Sequence, residues 1–354
     1  ALTEARGPDW RPIKYALFPP LGLATLAGYL SEEDTAEIQD EHVAPLTLDD
    51  EPDLVALQVY ITSANRSYEI ADRYRARGVP VVMGGLHVTA LPEEAAPHAD
   101  TLVLGPAEEA WPRYLADFRR GDPQPVYRST HRTLDRMPPV RRDLIDRMRY
   151  LVPNAIVVSR GCPHTCDFCY KEAFYEGGRT YYTQAVDAAL AAIDALPGRH
   201  LFFLDDHLFG NKPFATALFE GMRGMGRVWQ AAATVPSVLD DDLLDRAAAC
   251  GLRSLFIGFE TLSGSNLALH HKVQNRQADY DRAIRRLHDR GVMINGSFIF
   301  GLDHDTPDVF PRTVDWAVGH GIETATFHIL TPYPGTALYA RMARQGRLRH
   351  RDWD

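Results

Sequence analysis

The sequence is short of sulfur, of long apolar runs and of surplus positive charge, and each shortage removes a class of protein. Four cysteines among 354 residues are too few for the disulfide framework of a secreted, bridge-built scaffold. No apolar run approaches the ~20 residues that cross a bilayer, so no membrane span is expected. The opening residues, ALTEARGPDWRP, lack the apolar core of a secretion signal. They begin with Ala, which reads as a processed or incomplete start, and the expected location is cytoplasmic. The net charge of -9 has the wrong sign for a non-specific nucleic-acid binder, so no nucleic-acid partner is expected. Arginines cluster between positions 117 and 150, in DFRRG, YRSTHRTLDR and VRRDLIDRMRY, and read as solvated faces and a linker. With 45% hydrophobic and 24% charged residues, the chain is neither disordered nor collagen-like, and its length suits two domains.

What is present is a long alternation of strand and helix signals. IKYALF reads as a short strand, PLGLATLAGYLSEE as a helix opened by proline, and TAEIQD as a strand. LVALQVY (54–60), VPVVMGG (79–85) and TLVLG (101–105) read as buried parallel strands. Between them SYEIADRYRARG reads as an amphipathic helix closed by Gly78, and EEAWPRYLADFRRG follows as another. The Pro-rich stretch 121–143 reads as a linker. From 151 a second series starts: NAIVVSRG, RHLFFLDD, VWQAAATV, RSLFIGFE, VMINGSFIFG and TATFHILTPYPG are strand candidates separated by helices. Six units are too few for a closed eight-stranded barrel. The expected fold is α/β: an N-terminal doubly wound parallel sheet over 1–120, a linker over 121–150, and a partial (β/α)6 barrel over 151–354.

Three of the four cysteines, Cys162, Cys166 and Cys169, fall within eight positions in SRGCPHTCDFCYKE. Thiolates are soft ligands for iron–sulfur clusters or zinc. A zinc site wants four ligands, yet no second cysteine pair exists, and His164 lies awkwardly between the first two thiols. Cys250, within RAAACG, reads as a small buried residue. Three thiolates on one loop would leave one iron of a cubane open to a small ligand. A zinc knuckle is the competing reading.

The segment CPHTCDFCY resembles the signature loop of the radical S-adenosylmethionine (SAM) superfamily, Cys-x3-Cys-x-aromatic-Cys, with Phe168 as the aromatic. The resemblance covers 151–354. It implies a 4Fe–4S cluster on Cys162, Cys166 and Cys169 that binds SAM and cleaves it reductively to a 5'-deoxyadenosyl radical. It also implies SAM contacts at strand ends: Phe168 and Tyr170 on the loop, Asp205 and Asp206 after the second strand, Glu260 after the fourth, Ser297, Phe300 and Gly301 on the fifth, and Thr331 after the sixth. As plain structure, Asp206, Thr261 and Gly301 would equally serve as caps or turns. His328 reads as a satisfied barrel histidine. The resemblance implies no particular catalytic side chain.

The upstream sheet is similar to the cobalamin-binding domain of cobalamin-dependent radical SAM enzymes. The matching stretches are PPLGLATLAGYL, DLVALQVYITSA, VVMGGLHVTALPEEA and TLVLGPAEEAW. Ligands of such sheets lie past the C-terminal strand ends. The implied cobalamin neighbours are Pro20, Leu21, Tyr60, Ile61, Thr62, Ser63, Gly84, Gly85, His87, Val88, Gly105 and Glu108. DEHVAP contains Asp40 and His42 but has Pro45 where a cobalt-ligating Asp-x-His-x-x-Gly motif has glycine, and reads as coincidence. Together the resemblances imply a C-methyltransferase that acts on an unactivated carbon of a small molecule, natural product or lipid through the adenosyl radical and methylcobalamin. They also imply an external electron donor of the flavodoxin or ferredoxin type, and a further C-terminal region beyond RHRDWD. The alternatives are a radical SAM oxidation, cyclisation or rearrangement without methylation, and a non-catalytic Fe–S or zinc module.

Overall fold

The computed structural model describes residues 15–353. The chain divides into two units. The first comprises residues 1–153, 170–179 and 333–354, and the second 154–169 and 180–332. Among the described residues no helix is long and apolar enough to cross a membrane.

The first unit is built on a parallel sheet. Its strands are β1 (Val55–Gln58), β2 (Val81–Gly84), β3 (Thr101–Leu104) and β4 (Val126–Arg128), side by side in that order. Alternation along the pleat sends neighbouring residues to opposite faces, and both faces are covered. Val81, Met83, Leu102 and Leu104 pack with Tyr68, Ala71 and Tyr74 of the helix Ala64–Arg75. Val82, Val103 and Tyr127 pack with Trp111, Tyr114 and Leu115 of the helix Ala110–Arg119. At about 25 cal/mol per Å2 of apolar surface removed from water, these two clusters make the sheet the stable floor for the turns at its ends.

Five details differ from the sequence reading. Ile13 and Lys14 of IKYALF lie outside the described residues, and Ala16 makes only a single parallel bridge, to Tyr150. TAEIQD forms no strand: its polar groups close local turns, with Gln39 bonding Thr47 and Val43 N–H donating to Asp40. LVALQVY is a strand over Val55–Gln58 only, and those four residues are half-buried. The stretch read as a linker supplies β4, because Tyr127 is buried and its hydroxyl donates to Asp117 at 2.6 Å. Nor are its arginines all solvated, since Arg132 is buried.

The second unit carries β5 (Ala155–Ile156), β6 (Ser159–Gly161), β7 (Tyr181–Thr183), β8 (His200–Phe203), β9 (Val228–Ala233), β10 (Leu252–Glu260), β11 (Met293–Phe300) and β12 (Thr324–Ile329). Six of them form a parallel sheet in the order β12-β11-β10-β9-β8-β5. Strand order follows chain order, as in an open partial barrel whose two end strands, β5 and β12, each pair on one side and not with each other. NAIVVSRG therefore splits in two: β5 joins this sheet, while β6 turns away to pair antiparallel with β7. One apolar core lies against the sheet, centred on Phe203, Phe219, Trp229, Phe259 and Phe298. Helices start on side-chain caps, Asn211 for Lys212–Gly221, Asp240 for Asp241–Ala249 and Ser263 for Gly264–Leu269, each satisfying otherwise orphaned N–H groups.

Candidate active site

Cys162 follows directly on the β6–β7 ribbon, and its N–H continues that ladder to Thr180 O at 3.0 Å. Two acids at the end of β8 hold the base of the loop. The Asp205 carboxylate accepts Val158 N–H at 3.1 Å and both the N–H and the hydroxyl of Ser159. Asp206 accepts Gly161 N–H at 2.8 Å. Gly161 sits at φ +76, a left-handed turn that glycine adopts without steric penalty. Asp205 is fully enclosed; burial pushes its carboxyl up to about 7 against the pull of those donors.

The middle of the loop is fastened by a segment the sequence reading passed over. Asp167, between Cys166 and Phe168, meets His270 Nδ1 at 2.9 Å, and its N–H donates to His270 O at 3.3 Å. Both side chains are about 1% exposed. Lys272 Nζ lies 5.9 Å from the centre of the Phe168 ring, a cation–π distance, and pairs with Glu260. Gln274 Nε2 donates to Cys166 Sγ at 3.4 Å. Burial alone would lower Lys272, but Glu260 and then the thiols of Cys166 and Cys169 outweigh it and hold the ammonium above the ordinary lysine value. A buried ion pair of this kind is costly to break, because the surviving charge would be left unpaired. No motif marks HHKVQNR as part of the site, and its distance of about a hundred positions from the loop hides the contact.

Glu260 ends β10 with φ +65, rare for a residue with a side chain. The strand register shifts between Gly258 and Glu260, and a bulge of this kind re-aims a side chain. Asn275 donates to Gly258 O at 2.7 Å, and Tyr280 donates to Phe259 O at 2.8 Å, so the strained turn is braced from below. A Cβ on Gly258 would run into the Glu260 carboxylate and come within 3.1 Å of Lys272 Nζ.

His207, next to Asp206, is buried and stacks on His164 at 5.6 Å. Burial, then the neighbouring His164 and Lys272, holds it down at about 4, so it stays neutral. Ser297 is buried on β11, in register with Gly258 on one side and Thr326 on the other. Phe300 instead stacks on Phe327 at 5.5 Å and meets the tilted Phe310 ring at 4.7 Å. Gly301 (φ +89) gives its N–H to Asp305 at 2.9 Å, and the Thr331 hydroxyl folds back on Ile329 O. Tyr170 belongs to the first unit, edge-on to Phe174 at 6.4 Å. His328, expected as a satisfied interior histidine, is exposed, because β12 is an edge strand whose residues are mostly open. Cys250 is a core residue; burial pushes its thiol up to about 11.

In the first unit the turns after β1, β2 and β3 gather at the C-terminal edge of the sheet. Ser63 Oγ closes the first by bonding Tyr60. Gly84 and Gly85 form the second; Gly85 has φ +111, and a Cβ there would meet Val59 O at 2.7 Å. Gly105 of the third, at φ +76, donates to Thr89 Oγ1 at 2.9 Å, which ties the second and third turns together. Glu108 lies in the turn that leads into the helix Ala110–Arg119. Pro20 caps the helix Leu21–Ala27. His87, beside Val88, is buried with Nε2 on Glu94 at 2.8 Å and its ring edge-on to Trp353, and Nδ1 has no partner among the described residues. Asp40 takes His42 Nδ1 at 2.8 Å and the Tyr150 hydroxyl at 2.9 Å. Burial works against the Asp40 carboxylate, but these bonds hold it below its ordinary value. The Asp-x-His pair thus closes on itself.

The donor chemistry fits the implied groups. Three cysteines outside any disulfide lie on one clamped loop, with an amide donor on the Cys166 sulfur and the Lys272 ammonium beside the Phe168 ring, a setting for an anionic cluster. Among the described residues no three His, Cys, Asp or Glu side chains converge on a single ion; a cubane spreads its thiolates over separate irons. The glycine turns offer bare backbone to a large ligand, and His42 and His87 are each tied to a carboxylate.

Comparison with known proteins agrees. The Radical SAM superfamily profile matches residues 156–317, and the B12 binding domain profile matches residues 15–115. The chain is 29% identical to the bacteriochlorophyllide d C-12(1)-methyltransferase of Chlorobaculum tepidum, over 96% of this chain and 76% of that protein. It is 27% identical to the C-8(2)-methyltransferase of the same organism, over 94% and 78%. Among solved structures, the radical SAM methyltransferase TsrM from Kitasatospora setae, with cobalamin and a [4Fe-4S] cluster bound, superposes with a TM-score of 0.74 at 18% identity, covering 95% of this chain and 77% of TsrM. That likeness is one of fold.

Proposed function

We infer that this chain, which belongs to the cobalamin-dependent radical SAM enzymes, is a C-methyltransferase acting on an unactivated carbon of a tetrapyrrole-like ring system. One observation carries the reading: three cysteines in no disulfide on a loop clamped at its base and middle, in a chain whose residues 15–115 match a B12 binding domain. The cluster and SAM, when bound, supply an adenosyl radical that removes hydrogen, and cobalamin supplies the methyl group.

The chain's own residues bind and orient. Cys162, Cys166 and Cys169 are the proposed cluster ligands. Asp205 and Asp206 hold the strand that delivers Cys162, so their carboxylates act through position. Phe168, Glu260 and Ser297 are the proposed SAM contacts of the second unit. The turns Tyr60–Ser63, Gly84–Val88 and Gly105–Glu108 are the proposed cobalamin surface, and residues 1–120 the domain that carries it. The substrate class is taken from the two bacteriochlorophyllide methyltransferases. A cytoplasmic setting would supply a flavodoxin- or ferredoxin-type reductant.

The test is an anaerobic reaction of the reconstituted chain with SAM labelled in its methyl group and a chlorin as substrate. Label should enter the product only when cobalamin is bound. SAM cleavage at the full rate with no labelled product, with or without cobalamin, would instead assign an oxidation, cyclisation or rearrangement.

A further inference from the structure

We propose that Gln274 sets the reduction potential of the cluster and that Asp167 and His270 hold Cys166 within its reach. This rests on the radical SAM reading above. Gln274 is half-buried, and the hydrogen bond found for its side-chain amide goes to a cluster ligand, Cys166 Sγ, at 3.4 Å. Reduction adds negative charge to a cluster and its sulfurs, so an N–H donor on a ligand sulfur favours the reduced state and raises the potential.

The bond needs the sulfur to stay in place, and the same chain segment provides for that. Four residues before Gln274, His270 grips the residue after Cys166 twice, through the Asp167 carboxylate at 2.9 Å and the Asp167 N–H at 3.3 Å. The grip lies out of water, where a hydrogen bond is electrostatically stronger. The segment is itself fixed at both ends. His270 N–H donates to Asn266 O at 3.1 Å and Lys272 N–H to Leu267 O at 2.8 Å, which anchor it to the helix Gly264–Leu269. Asn275 binds Gly258 O at 2.7 Å, which anchors it to β10. One short stretch therefore positions the loop with one residue and donates to its sulfur with another. Gln274 and His270 are positioning residues, since neither is placed to react with SAM or substrate.

The experiment is an EPR-monitored redox titration of the anaerobically reconstituted full chain, wild type against Gln274→Met and Gln274→Glu. Methionine keeps the length of the side chain and removes the donor. The expected result is a full cluster with a lowered midpoint, about a tenfold shift in the one-electron equilibrium, or about 59 mV. Gln274→Glu should lie lower still, because it places a carboxylate beside the sulfur. His270→Phe, loaded with cluster, should lose iron to a chelator faster than wild type. A wild-type midpoint in Gln274→Met, or a midpoint at or above wild type in Gln274→Glu, overturns the proposal. A wild-type chain that takes up no [4Fe–4S] cluster overturns the radical SAM reading instead, and the two failures are distinct.

Discussion

The two units solve one architectural problem in opposite ways. Each builds a parallel sheet and places its candidate ligands at C-terminal strand ends. The second unit does so with side chains locked from behind: Asp205 and Asp206 on the loop base, His270 on Asp167, Lys272 on Glu260. The first does so with backbone: glycine turns after β2 and β3, tied by Thr89, while His42 and His87 are engaged by carboxylates. The difference follows from what is held. A cluster is bonded to a few sulfurs whose positions must be fixed, and hydrogen bonds out of water hold side chains strongly. A large flat cofactor needs close approach over a wide surface, which a missing Cβ provides.

The largest expected effect separates the two units most sharply. Cys166→Ala removes one thiolate and the acceptor of Gln274. It should abolish SAM cleavage, measured as 5'-deoxyadenosine, and leave bound cobalamin at its wild-type level. If cleavage survived, the loop would not be the cluster site.

A smaller effect is expected in the first unit. Gly85→Ala forces a side chain to φ +111 and drives its Cβ toward Val59 O, a strain of about 1–3 kcal/mol. Bound cobalamin and thermal stability should both fall, while iron content and its spectrum stay as in wild type. Full cobalamin retention would show that this turn is not part of the surface.

The same contrast explains what could be read from the chain alone. Strands such as VVMG and TLVL were legible because continuous apolar runs leave no alternative to burial. The cysteine loop was legible because its ligands are neighbours in sequence. β4 was not, because Tyr127 stands in a stretch of prolines and arginines whose composition signals a linker. Asp205 and Asp206 were visible as acids at a strand end, but their bonds to residues 158–161 were not. His270, Lys272 and Gln274 carry no local signal at all, because their partners arrive only when β10 folds beside the loop. His328 misled because an apolar strand suggests an interior, and only the sheet order shows an edge.

The central claim, that one chain carries both a SAM-cleaving cluster and cobalamin, is tested most directly by counting both on the same protein. After anaerobic reconstitution and desalting, metal analysis and absorption spectroscopy should find about four irons and about one corrin per chain, with a spectrum of the cluster that changes when SAM is added. Zinc in place of iron, or a full cluster with no corrin retained, would contradict it.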